Sequence, residues 1–119
     1  MKPFHELSKE EQGLLLYFEA CMCDHACTVD LRNMNDDDRA IAKEWHNDGA
    51  IIFGRRPWQE GLKRTHFVIL GPETLRLAHE ARTARIGRIL KTFVPSLEEN
   101  RVGLYDEFVA GFESVMRGN

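Results

Sequence analysis

Three observations predict that this 119-residue sequence folds as an α+β domain. Leu14, Leu15, Phe18, Cys21 and Met22 recur at three- and four-residue spacing, the stripe of an amphipathic helix. Ala50-Ile51-Ile52-Phe53 and Thr65-His66-Phe67-Val68-Ile69-Leu70 are rich in β-branched and aromatic residues, as strands are. Leu75, Ala78, Ile86, Ile89 and Phe93 then return to a helical period. A chain of this size can bury one core.

The first helix should begin at Ser8, whose hydroxyl can cap the opening turn while Glu11 reaches back, an S-x-x-E box. It should end between Cys23 and Cys27, because Thr28-Val29-Asp30-Leu31 reads as a short strand with Val29 and Leu31 on its buried face. Asn35 is placed to cap a second helix, with Asp36, Asp37 and Asp38 at the positive end of its dipole. Ile41, Ala42 and Trp45 form its apolar side, and Gly49 stops it after Asn47 and Asp48. The stretch from Gly54 to Arg64, containing Pro57 and Gly61, reads as a long hairpin loop. Pro72 suits the first position of a third helix that runs to about Lys91. Pro95 is expected to break it, and Ser96 with Glu99 to cap a fourth helix.

The resulting order is helix, short strand, helix, β-hairpin, helix, helix. It predicts a winged-helix-like domain over residues 1–94, with an appended C-terminal helix over 95–119. Between Arg32 and Gly49 there is room for one proper helix, where a full winged helix carries two, so the unit is a trimmed relative. The last helix is more apolar than a solvated helix tolerates. Its residues Leu104, Phe108, Phe112 and Val115 should pack on the core or meet a second copy in a homodimer.

Hydrophobic residues at 43% against 29% charged argue against disorder. No apolar run approaches the roughly 18 residues of a membrane span, and Met1-Lys2-Pro3-Phe4-His5-Glu6 lacks a secretory apolar segment. Three closely spaced cysteines make no disulfide framework, so a reducing cytoplasm is the expected location. The net charge of −3 hides a division: residues 1–53 carry −6, residues 54–91 carry +6 and residues 92–119 carry −3. The middle block has the electrostatic footprint of a polyanion binder.

Arg55, Arg56, Lys63 and Arg64 surround Trp58 on the hairpin loop, and Arg85 and Arg88 lie on the third helix away from its stripe. Guanidinium groups can hold phosphate oxygens, and an indole can lie against a base or sugar, so these residues are the candidate contacts to double-stranded DNA. The bland alternative is a solvated loop with its tryptophan packed back on the hairpin. The second helix, with Asp36, Asp37, Asp38, Glu44 and Asp48 against Arg39 and Lys43, should be repelled by phosphates over much of its surface. Arg82 falls on the apolar stripe and is expected to pair with Asp30 or Glu19 in a structural salt bridge.

Cys21, Cys23, His25 and Cys27 offer thiol and imidazole ligands for zinc. Cys21 would point away from Cys23 and Cys27, and no second C-x-x-C completes a set, so thiols acting as small hydrophobes are the preferred reading. No metal or cofactor is expected. Neither a G-x-S-x-G elbow, a P-loop, a G-x-G-x-x-G nor an H-E-x-x-H occurs, and no enzyme is predicted. His46 is placed to cap helix carbonyls, and His66 to be a half-buried strand residue.

Gly13-Leu14-Leu15-Leu16-Tyr17-Phe18-Glu19-Ala20-Cys21, Val29-Asp30, Met34-Asn35, Ile41-Ala42, Trp45-His46-Asn47, Phe53-Gly54-Arg55 and Thr65-His66 resemble a family of small uncharacterised bacteriophage and prophage proteins. The resemblance spans residues 7–90 and implies a phage-encoded protein of the host cytoplasm. It carries no activity onto particular residues. Two functions are therefore expected in turn: a non-enzymatic nucleic-acid-binding regulator, or a protein-interaction module that inhibits a host protein complex.

Overall fold

The computed structural model describes residues 1–56, 63–97 and 104–116. Its elements are α1 (Lys9–Asp24), β1 (Thr28–Val29), α2 (Asp36–Asn47), β2 (Ile51–Arg55), β3 (His66–Leu70), α3 (Pro72–Leu97) and α4 (Leu104–Met116). Short 3-10 turns occupy Phe4–Glu6 and Leu31–Asn33. The strands form one antiparallel sheet in the order β1-β3-β2, with Val29 opposite His66 and Arg55 also opposite His66 on the other side. The fold is α+β and winged-helix-like: a strand after the first helix joins the second strand of the hairpin. The chain divides into two compact units, Met1–Ala81 and Arg82–Asn119.

Local chemistry places the helix ends. The Ser8 hydroxyl accepts from the Glu11 N–H at 3.1 Å, and the Ser8 N–H donates to the Glu11 carboxylate at 3.1 Å. Asn35 and Asp38 make the same reciprocal box at the start of α2. Gly49, at φ +78°, lets the chain reverse from α2 into β2. At the end of α1 the Cys27 N–H returns to the Cys21 carbonyl at 3.0 Å, with Ala26 and Cys27 both left-handed. That conformation strains a residue bearing a Cβ. It is held because the Val68 N–H donates to the Cys27 carbonyl at 2.9 Å.

The core lies where α1, α2 and the start of α3 cover one side of the sheet. Leu15, Phe18, Val29 and Val68 are fully enclosed, with Trp45, Ala42, Ile51 and Leu70 around them. The strands show the expected alternation, since Ile51, Val68 and Leu70 are buried while Ile52 and Ile69 face out.

Three expectations are corrected. Leu31 does not extend β1. The Asp30 carboxylate accepts from the Arg32 N–H at 3.0 Å, and the Tyr17 hydroxyl donates to the Asp30 carbonyl at 2.9 Å, so the chain turns instead. In α3, Thr74, Ala78, Ala81 and Gly87 are buried, whereas Leu75, Ile86, Ile89 and Phe93 are exposed. Small side chains let this helix approach closely, and the Thr74 hydroxyl donates to the Ala50 carbonyl at 2.7 Å. Finally, α3 continues through Pro95 and Ser96 to Leu97. Ser96 therefore lies inside α3 rather than at the start of α4, which begins at Leu104.

Within the second unit α4 lies against α3 at Gly87. A Cβ there would stand 3.3 Å from the Phe112 ring and 3.2 Å from the Met116 sulfur. Phe112 is thus half-buried, whereas Val115 is exposed. The Leu104 and Phe108 side chains lie outside the described residues.

Candidate functional site

The expected basic wing resolves into residues with different tasks. Arg64 turns inward. Its guanidinium donates to the Thr28 carbonyl at 2.8 Å and 3.1 Å, to the Thr28 hydroxyl at 3.0 Å and to the Cys21 sulfur at 3.4 Å. It ties the strained turn after α1 to the hairpin. Burial pushes the Cys21 thiol up, so the sulfur beside Arg64 is a protonated acceptor. Arg56 donates to the Arg64 carbonyl at 3.1 Å, and its N–H to the Thr65 carbonyl at 2.8 Å, which closes the hairpin. Arg55 and Lys63 remain exposed, and Trp58 lies outside the described residues. Arg85 and Arg88 are exposed on the part of α3 in the second unit.

Arg82 is exposed too, rather than buried on the apolar stripe. Asp30 pairs with Arg32 at 2.7 Å. The Arg32 guanidinium and N–H hold the Asp30 carboxyl well below the usual carboxylate range, at about 2. Cys21 is buried and Cys23 exposed, and among the described residues no three metal-ligating side chains converge.

A better site lies between α2 and the hairpin. Arg39, Lys43 and His46, spaced by four and three residues, share one face of α2. With Arg55 of β2 and His66 of β3 they line a cleft of about 350 Å³, floored by Leu31, Phe53 and Gly54. Among the described residues no carboxylate lines it, and Arg39, Lys43 and Arg55 have no ion-pair partner. Arg39 donates to the Leu31 carbonyl at 3.3 Å. Asp37 and Glu44 fall on the far side of the helix, whereas Asp36, three residues before Arg39, shares its face without lining the cleft.

The two histidines are held by the fold. His46 does not cap helix carbonyls: its Nδ1 accepts from the Phe53 N–H at 3.2 Å, which places the ring proton on Nε2. His66 stacks on Phe53 at 5.6 Å between ring centroids, with Thr65 Oγ1 2.8 Å from its Nδ1. Burial, then the Arg55 and Arg39 guanidiniums, holds the His66 imidazole below its ordinary value. The cleft is a concentrated positive field over an apolar floor, suited to an anion. The four-three spacing of Arg39, Lys43 and His46 was the available sequence signal; the partnership with Arg55 and His66 needed the sheet register.

Among the described residues no helix is long and apolar enough to cross a membrane. Comparison with family models, with curated proteins and with solved structures returns no match.

Proposed function

We propose that this protein is a non-enzymatic, phage-encoded regulator that binds nucleic acid, chiefly double-stranded DNA, through its phosphate backbone. The observation that carries this reading is the convergence of Arg39, Lys43 and Arg55 from two elements on a cleft with no carboxylate among its described lining residues. In a winged-helix arrangement the helix before the hairpin and the hairpin itself face the duplex. Arg39 and Lys43 on α2, with Arg55 and Lys63 on the hairpin, are the contacts. Arg64 supports them from within.

Fluorescence anisotropy with a random duplex tests this. Each phosphate contact contributes about 0.9 to the slope of log affinity on log salt, so four contacts give a slope of about −3 to −4. Arg39→Glu combined with Lys43→Glu should abolish binding while circular dichroism stays native. An absence of binding even at low salt refutes the reading. A protein-interaction module directed at a host protein or a second copy is the second reading. It is favoured by the exposed Ile86, Ile89 and Phe93 of α3, which recur at three and four residues like the anchors of a groove-binding helix.

A further inference from the structure

We propose that the cleft between α2 and the hairpin, which meets backbone diesters in the reading above, seats a phosphate monoester, the dianionic group at the end of a nucleic-acid strand, more tightly still. The polymer as source rests on the nucleic-acid reading above; the monoester chemistry rests on the cleft alone. Three fixed cations, Arg39, Lys43 and Arg55, meet there with no carboxylate among the described lining residues. A diester brings one negative charge, whereas a terminal phosphate brings about −1.5 to −2 and a third unsubstituted oxygen. The second charge matches the surplus.

The donors match as well. Two guanidiniums and an ammonium supply charge-assisted bonds, and His46 adds its Nε2–H because Nδ1 is engaged by the Phe53 N–H. The volume of about 350 Å³ is that of a small-molecule site, room for one phosphate and its sugar at a time. The floor of Leu31, Phe53 and Gly54 strengthens each charge interaction, and the Phe53–His66 stack provides an aromatic surface beside the phosphate.

A proton should accompany the anion. The charged groups facing His66 are Arg55 from β2 and Arg39 from α2, with Lys43 and His46 lining the same cleft. Just before its strand the neighbour is the Thr65 hydroxyl, and from β1 the uncharged Val29. A dianion seated among these cations cancels the field that disfavours imidazolium, so the His66 titration should move upward on binding.

The experiment compares a 5′-phosphorylated with a 5′-hydroxyl oligonucleotide by anisotropy, and follows the His66 ring by NMR during titration with inorganic phosphate. The expected result is at least tenfold tighter binding of the phosphorylated strand, lost in the Lys43→Gln variant, and an upward His66 shift with phosphate. Equal binding of both strands overturns the strand-end assignment and leaves the nucleic-acid reading standing. If neither strand binds but inorganic phosphate moves His66, the monoester seat stands for a small phosphorylated compound and the nucleic-acid reading falls. No response of His66 to phosphate, with equal or absent strand binding, overturns the proposal.

Discussion

The two compact units solve the same problem with unequal means. In Met1–Ala81 the stripe of α1 is covered by β3 and α2, and Phe18 and Leu15 lose all contact with solvent. In Arg82–Asn119 a comparable stripe on α3 leaves Ile89 55% and Phe93 56% exposed, and Val115 on α4 is 64% exposed. Helical spacing of apolar residues is similar in both regions. Burial therefore depends on how many layers meet a stripe, not on the stripe itself.

The sharpest way to break this contrast is a pair of truncations. Phe18→Ala leaves a cavity and should cost about 3–5 kcal/mol in urea unfolding. Ile89→Ala should cost no more than about 0.5 kcal/mol, as surface changes do. A large loss at Ile89 would mean that the α3 face is covered in solution, which favours the interaction reading.

A second pair applies one chemical change to both units. Gly49, at φ +78°, cannot take a Cβ without strain, so Gly49→Ala should destabilise by about 1–2 kcal/mol. Gly111 sits within α4, with open space where a methyl group would stand. Gly111→Ala should stabilise that helix by about 0.5–1 kcal/mol, seen as slower amide exchange in α4. Equal signs in the two variants would contradict the assigned backbone geometries.

The smallest expected effect is a pH dependence confined to the first unit. The Asp30 carboxyl, at about 2 in the folded chain, is depressed by Arg32. A depressed folded value means the contribution is complete above the unfolded carboxylate range and is lost as pH falls from about 4 towards 2. Fluorescence of the buried Trp45 should report this acid loss, and Asp30→Asn should flatten it. An unchanged acid profile would show that the pair with Arg32 does not form.

Legibility followed the range of the interactions. Ser8 with Glu11, Asn35 as a cap and Gly49 as a stop were readable because each depends on a few neighbouring residues. The alternation of Val68 and Leu70 was readable from a period of two. The continuation of β1 to Leu31 and the cap at Ser96 failed, since competing local bonds and one continuous helix decided those ends. Arg64 illustrates the harder case. A cation in a basic loop reads as a surface contact until the sheet brings the Thr28 carbonyl to it from 36 residues away.

By itself the sequence determined the α+β class, the order of helices and hairpin, the caps of α1 and α2 and the division of charge, because these follow from spacing and from chemistry between near neighbours. Only the tertiary structure decided which cations face solvent and which are structural, and that Arg39, Lys43 and His46 stand beside Arg55 and His66. Electrostatic fields add in space. Residues distant along the chain therefore become a site only when strand register and helix packing set them side by side.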